Sequence, residues 1–218
     1  MARYVLLPGL DGTGELFRPF VAAAPSTAEL HILSLPQEPL ETYEAFSRWA
    51  VPRLSEEPCV LVAESFSGPL GVLLAAQCPS VRALVVCASF CRSPLPAFLR
   101  HTPTLAWRRS PPVALIRLLL TGGDYGLAKA LQRSIATVPA EVIAARVRAT
   151  LTVDVSAALG RLRQPLIYLR GNADRVVGRR CGELFRAVQP RTQLFELAAP
   201  HLVLQTRPQR AWQHITRL

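Results

Sequence analysis

The sequence has no apolar run long enough to cross a membrane. The most apolar stretch, residues 69–90, is interrupted by polar residues and a proline, and the run at 113–120 is short and contains Arg117. A membrane helix needs about 18 uninterrupted apolar residues. The N-terminal apolar run stops at Pro8, too early for a secretory signal. We therefore expect a cytoplasmic protein without a transmembrane segment.

Cysteine is scarce and is not spaced for metal binding. The chain has five cysteines, Cys87 and Cys91 are too far apart for a CxxC motif, and no histidine pair has ligand spacing. These absences argue against a structural zinc site, so no metal is expected. Buried free thiols in a reducing compartment are the favoured interpretation.

Lysine is nearly absent, although the chain is strongly basic. Lys129 is the only lysine among 25 basic residues, which face 15 acidic ones for a net charge of +10. The basic residues lack interleaved aromatics, so nucleic-acid binding is not expected. Gly9, Gly12 and Gly14 match neither a dinucleotide fingerprint nor a phosphate-binding loop, so no nucleotide cofactor is expected.

Short apolar runs alternate with helix-like stretches along the 218 residues. This rhythm predicts an α/β fold, a mostly parallel, doubly wound sheet of about six strands with helices on both faces. The length fits one domain with an insertion. The predicted strands are Arg3–Leu7, His31–Leu35, Cys59–Ala63, Val81–Cys87, Pro165–Leu169 and Gln193–Leu197.

The interval 92–150, here called the cap segment, has no strand pattern. We predict a helical insertion within a core domain formed by residues 1–91 and 151–218. The cap segment carries nine basic residues against two acidic ones. Over the edge of the sheet, its arginines could attract an anionic or carrier-bound substrate. Its apolar residues could line an acyl pocket, including Leu115, Ile116, Leu118, Leu119 and Leu120. A solvated helical face is the alternative interpretation.

The most informative segment is Cys59-Val-Leu-Val-Ala-Glu-Ser-Phe-Ser-Gly68. Ser65 is placed where a buried strand turns sharply into a helix, so its hydroxyl lies near a helix N-terminus that favours negative charge. Ala63 and Ser67 are small enough for that turn, although glycine is usual at both positions. A plain N-cap serine is the alternative interpretation.

The sequence resembles the α/β-hydrolase fold superfamily over nearly its whole length. Three segments carry the resemblance. Leu6-Leu-Pro-Gly-Leu-Asp-Gly12 resembles the oxyanion loop, with Pro8-Gly9 where His-Gly is usual, and the Ser65 turn resembles the nucleophile elbow. The late segments ending in Asp174 and His201 complete the family order of nucleophile, acid and base.

The resemblance implies a role for each of these residues. Ser65 would be the nucleophile, His201 its general base, and Asp174 the acid that orients the imidazole. The backbone N–H groups of Phe66 and Leu10 would bind the oxyanion, with Gly9 as an alternative to Leu10.

We therefore predict a serine hydrolase that cleaves a small carboxylic ester or thioester through an acyl-enzyme on Ser65, without a cofactor. An acyltransferase using the same triad and a non-catalytic binding protein are the alternatives. The remaining histidines, His31, His101 and His214, are expected at the surface. Asp11 is expected either to form a turn or to contact substrate.

Overall fold

Six parallel strands form one sheet in the order β2-β1-β3-β4-β5-β6. The computed structural model describes residues 2–94 and 111–218. The strands are Ala2–Leu7 (β1), Ala28–Ile32 (β2), Cys59–Glu64 (β3), Val81–Cys87 (β4), Leu166–Gly171 (β5) and Gln193–Leu197 (β6). The predicted parallel α/β sheet is thus confirmed.

The central strands are buried on both faces. Leu61 and Leu84 contribute to one apolar cluster, and Val62, Val85 and Ile167 contribute to the cluster on the opposite face. Parallel strands covered by helices on both sides carry such continuous apolar runs, because neither face meets water. The sequence signal was therefore strongest for these strands.

The predicted position of the second strand, His31–Leu35, is wrong. The strand spans Ala28–Ile32 and pairs with β1 at the edge of the sheet. The apolar residues that drew the prediction, Leu33 and Leu35, are buried just beyond the strand. There, the Leu33 N–H donates to the Leu6 carbonyl at 3.0 Å.

Helices cover the sheet on both faces. Their bounds are Arg18–Ala22 (α1), Tyr43–Ala50 (α2), Gly68–Gln77 (α3), Val113–Leu119 (α4), Tyr125–Ala136 (α5), Ala140–Thr152 (α6), Ser156–Arg161 (α7), Arg179–Val188 (α8), Val203–Thr206 (α9) and Pro208–Ile215 (α10). Among the described residues, no helix combines the length and apolarity needed to span a bilayer.

Between β4 and β5, the described residues form helices α4 to α7 and no named strand. The two ends of this interval meet in an isolated antiparallel bridge between Arg92 and Asp154. The Arg92 Nε lies 3.1 Å from the Asp154 carboxylate. The division into core domain and cap stays a prediction, and four residues that entered it lie outside the described ranges: Arg100, His101, Arg108 and Arg109.

Candidate active site

Ser65 occupies a strained turn at the end of β3. Its φ is +49°, a left-handed conformation that few non-glycine residues adopt. A 3-10 turn, Ser65–Ser67, follows and leads directly into α3. Because strain of this kind persists only where the surroundings impose it, it marks a candidate functional position.

Side-chain hydrogen bonds fix this elbow from three directions. The Ser89 hydroxyl donates to the Ser65 carbonyl, and the Tyr43 hydroxyl donates to the Phe66 carbonyl at 2.7 Å. The Ser67 hydroxyl donates to the Pro8 carbonyl, which ties the elbow to the loop after β1.

The close approach of strand and helix depends on glycines inside α3. A Cβ added to Gly68 would lie 1.9 Å from the Ser89 hydroxyl oxygen, and one added to Gly71 would lie 2.8 Å from the Ala63 Cβ. The expected need for a small residue at position 63 therefore has a physical basis. The strict need for glycine falls at positions 68 and 71, one and four residues after the second glycine of the common motif.

Ser65, His201 and Asp174 form a hydrogen-bonded chain. The Ser65 Oγ lies 2.9 Å from His201 Nε2, and His201 Nδ1 lies 2.8 Å from Asp174 Oδ2. An ionised carboxylate only accepts hydrogen bonds, so Nδ1 carries the proton and Nε2 is free to accept from the serine hydroxyl. The side chains of His201 and Asp174 are only 4% and 2% exposed, which shields the pair from water.

Two loops at the carboxyl ends of β5 and β6 bring the acid and the imidazole together. Gly171 permits this contact, because a Cβ there would lie 2.3 Å from the carbonyl oxygens of Ala199 and Pro200. The Ala173 N–H donates to the Ala199 carbonyl at 3.0 Å.

Asp174 is itself anchored by its second carboxyl oxygen. The N–H groups of Val176 and Val177 donate to Oδ1 at 2.8 and 2.9 Å. Asp174 therefore organises its own turn and binds His201 at the same time.

The loop after β1 lies against the nucleophile, as expected for the predicted oxyanion loop. A Cβ added to Gly9 would lie 3.8 Å from the Ser65 Cβ, and Leu10 borders the same cavity as Ser65. Phe66 lies in the first turn after the nucleophile, where backbone N–H groups have no intrahelical acceptor. The oxyanion-binding roles of Leu10 and Phe66 stay predictions.

Arg146 on α6, which the sequence analysis counted only as a charge, is fully buried beneath this loop. One terminal nitrogen donates to the Leu10 and Asp11 carbonyls, both at 2.8 Å. The other donates to the Pro36 carbonyl at 3.0 Å. Burial lowers the pKa of Arg146 to about 10, although the Asp11 carboxylate opposes the shift.

Asp11 organises a turn, one of its two predicted roles, and it also borders the cavity beside Ser65, so contact with substrate stays a prediction. Its Oδ2 accepts from the Thr13 N–H at 3.2 Å and the Thr13 hydroxyl at 2.6 Å. The Ser134 hydroxyl on α5 donates to the same oxygen at 2.8 Å. The cap segment thus contacts the loop through both Ser134 and Arg146.

Glu64, the residue before Ser65, is a second group that the sequence analysis missed. Its side chain is buried, and its Oε2 accepts from the Gln205 amide at 3.1 Å. Burial raises the pKa of Glu64 to about 7, while the Gln205 hydrogen bond and nearby His201 lower it and nearby Asp11 raises it. A charged residue at the end of an apolar strand, next to the predicted nucleophile, was the available signal.

A cavity of about 410 Å³ opens beside Ser65 and His201. Its walls are largely apolar, apart from Ser65, His201 and the acidic residues Asp11 and Glu64. The cap segment supplies many of the apolar residues: Leu115, Ile116, Leu119, Leu120, Leu131, Ile135, Ile143 and Val147. Among the described residues, no arginine or lysine lines the cavity. Of the residues predicted to line an acyl pocket, Leu115, Ile116, Leu119 and Leu120 line this cavity, whereas Leu118 is 55% exposed.

The other titratable groups lie apart from this chain of hydrogen bonds. His31 is exposed on the edge strand β2, and half-buried His214 stacks on Phe195 with ring centroids 4.2 Å apart. All five cysteines are free thiols. In the described ranges, no three His, Cys, Asp or Glu side chains group in a way that could hold a metal ion.

No protein-family model matches the chain, and no curated protein matches it. It is similar in structure to a hydrolase from Pseudomonas aeruginosa PA01, with a TM-score of 0.85 and 16% identity over 99% of this chain and 89% of the other. It is also similar to a thermophilic esterase from Thermogutta terrifontis, with a TM-score of 0.81, 18% identity and coverage of 100% and 89%.

A further similar structure is the enol-lactonase from Burkholderia xenovorans LB400. Its TM-score is 0.80 and its identity 17%, over 99% of this chain and 90% of that one. These likenesses show that the chain has the α/β-hydrolase fold.

Proposed function

We propose that the protein is a serine hydrolase that cleaves a carboxylic ester or thioester through an acyl-enzyme on Ser65. One observation carries the proposal: the hydrogen-bonded chain Ser65–His201–Asp174 opens onto an apolar cavity. A serine hydroxyl is a poor nucleophile at neutral pH unless a base removes its proton during attack. This arrangement supplies such a base.

In the proposed acylation step, His201 Nε2 takes the Ser65 proton while the oxygen attacks the substrate carbonyl. Asp174 holds the opposite ring nitrogen and stabilises the imidazolium that forms. His201 then gives the proton to the leaving alcohol or thiol. Water then attacks the acyl-enzyme carbonyl, with His201 again taking and returning the proton. This step releases the carboxylic acid and restores Ser65.

The tetrahedral intermediates need donors for their oxyanion. We assign the Phe66 and Leu10 N–H groups to this role, each worth about 3 kcal/mol of transition-state stabilisation. Ser67 donates to the Pro8 carbonyl, and Arg146 donates to the carbonyls of the same loop. These hydrogen bonds would hold the two N–H donors at a fixed position relative to each other.

The cavity supports an acyl group that is largely hydrocarbon. Helices α4 to α6 would act as the cap over it, and the leaving group would face the open side. Four cap arginines have partners in the described structure. Arg92 pairs with Asp154, Arg148 pairs with Glu41, Arg117 donates to the Gly123 carbonyl, and Arg146 is buried below the loop. Attraction of an anionic or carrier-bound substrate by the cap segment thus has no support from these four side chains.

The likeness to an esterase and an enol-lactonase is consistent with ester chemistry. We propose that the protein works in the cytoplasm, where its five free thiols would stay reduced.

Labelling with a fluorophosphonate probe tests the proposed nucleophile. We expect the wild type and the Ser26→Ala control, which removes an exposed serine, to be labelled, and Ser65→Ala to be unlabelled. Absence of labelling in the wild type would favour a non-catalytic binding protein. With p-nitrophenyl esters, cleavage only when an alcohol acceptor is added would instead indicate an acyltransferase.

Two further variants test the partners of Ser65. Asp174→Asn and His201→Ala should each lower turnover by a factor of about 10⁴ while leaving the fold intact. Turnover is followed with p-nitrophenyl esters and the fold by circular dichroism. Full activity of either variant would mean that the wrong partner has been assigned.

A further inference from the structure

Glu64 places a carboxyl group directly beside the proposed acyl site. It is the last residue of β3, its side chain is 3% exposed, and it borders the cavity together with Ser65 and His201. The hydrolytic mechanism assigns it no proton transfer. A buried acid without a mechanistic role needs another explanation, because burying a carboxyl group costs free energy.

The hydrogen bonding of this carboxyl is incomplete. Only Oε2 has a partner, the Gln205 amide on α9, and Oε1 is buried without one in the described structure. The Gln205 carbonyl oxygen is also buried and unpaired. The protein therefore does little to hold a charge on Glu64.

The charges around Glu64 leave it uncompensated. Among the described residues, the titratable groups that interact electrostatically with Glu64 are His201, Asp11 and the Cys87 thiol on β4. None of these is a permanent cation. The Asp11 carboxylate, by contrast, lies close enough to the buried Arg146 guanidinium to raise the pKa of that arginine. Among the described residues, no arginine or lysine reaches the cavity to offset Glu64.

An acyl group that carries a carboxylate would bind unfavourably at this site. It would lose its hydration in an apolar cavity, find no cation to pair with, and lie near a second negative charge. We infer that Glu64 determines specificity by excluding negatively charged acyl groups, so that the substrates are esters of uncharged, apolar acids. This inference rests on the proposed hydrolase function and specifies its substrate class.

The titration of Glu64 gives the inference a pH signature. Because burial raises its pKa to about 7, Glu64 is mostly neutral at pH 6 and mostly ionised at pH 8. Discrimination against a charged acyl group should therefore strengthen as pH rises. A pH effect that is common to all substrates cancels in a ratio of kcat/KM values.

Three p-nitrophenyl esters with the same six-carbon acyl chain provide the test. The chain ends in a methyl group (hexanoate), a carboxylate (adipate) or an uncharged amide (adipamate), so the amide separates charge from polarity. At pH 8, we expect kcat/KM for the amide to exceed that for the carboxylate by about 100-fold. Glu64→Gln should reduce this ratio at least tenfold, whereas Glu44→Gln, which alters an exposed acid on α2, should leave it unchanged.

The wild type alone also tests the inference, in case Glu64→Gln does not fold. Its amide-to-carboxylate ratio should fall by several-fold between pH 8 and pH 6. Equal rates for amide and carboxylate at pH 8, a ratio independent of pH, or an unchanged ratio in folded Glu64→Gln would overturn it. Failure to cleave any of the three esters would instead overturn the hydrolase function on which it rests.

Discussion

Two buried charged groups flank Ser65, and their surroundings differ. Arg146, below the loop after β1, donates to three carbonyl oxygens at 2.8 to 3.0 Å and lies beside the Asp11 carboxylate. Glu64, on the elbow side, has one hydrogen bond and an unpaired oxygen. Of the three guanidinium nitrogens of Arg146, Nε is the one that has no hydrogen-bond partner in the described structure.

This contrast separates a structural charge from a functional one. A buried charge with many partners stabilises the geometry around it, and removing it leaves those partners unsatisfied. A buried charge with few partners costs stability, so its presence beside a proposed nucleophile points to function. Substitutions on the two sides should therefore change stability in opposite directions.

The largest effect is expected for Arg146→Ala. The substitution leaves three carbonyl oxygens and the Asp11 carboxylate without their cation, and should lower the free energy of unfolding by about 3–5 kcal/mol. Urea denaturation measures this change. Arg133→Ala, which removes an exposed arginine from α5, should change stability by less than about 0.5 kcal/mol.

If Arg146→Ala were as stable as Arg133→Ala, the loop would not depend on the buried guanidinium, and the contrast with Glu64 would disappear. Arg146→Lys sharpens the test. A lysine keeps the charge but cannot present the guanidinium fork to several carbonyls, so most of the loss should remain.

The sequence could distinguish neither Arg146 from the exposed arginines nor Glu64 from a solvated acid. A count of charges does not show whether a charged side chain points into the protein or into solvent. The burial of these two side chains is decided by tertiary contacts with loops far along the chain. A weak signal was present for Arg146, because Val142 and Ala149 lie on the same face of α6 and are buried.

The features of the fold that could be predicted were those with a clear pattern in the local sequence. Continuous apolar runs located β3, β4 and β5. The resemblance to the α/β-hydrolase fold implied that Ser65, Asp174 and His201 meet at one sheet edge. The edge strand β2 was misplaced because its own residues are largely exposed while the apolar Leu33 and Leu35, just beyond it, are buried. Burial gave no clear pattern there.

Substitution of Glu64 should change stability in the opposite direction from substitution of Arg146. The pKa of Glu64 is about 7 in the folded chain, against an ordinary value of 4.5, so the folded state binds more protons between these values. Stability should therefore fall as pH rises from 4.5 to 7, by about 3 kcal/mol in total.

Glu64→Gln removes this dependence, because an amide has no proton to lose. It should be more stable than the wild type at pH 8, where Glu64 is ionised, and about equally stable near pH 4.5. Urea denaturation at both pH values, with Glu44→Gln as control, measures the difference. A variant that is less stable than the wild type at pH 8 would show that the Glu64 charge is well solvated after all.

The smallest effect is expected for Ser134→Ala, which removes one of the donors that the Asp11 carboxylate accepts from. Two contacts from Thr13 remain on the same oxygen, so the loss should be about 1 kcal/mol. A double-mutant cycle with Asp11→Ala isolates the contact, and its coupling energy should also be about 1 kcal/mol. A coupling energy near zero would mean that the Ser134 hydroxyl does not hold the Asp11 side chain in place. A coupling energy of the expected size would mean that the loop after β1 is anchored by two separate helices, whereas Gln205 is the one hydrogen-bond partner of the Glu64 side chain among the described residues.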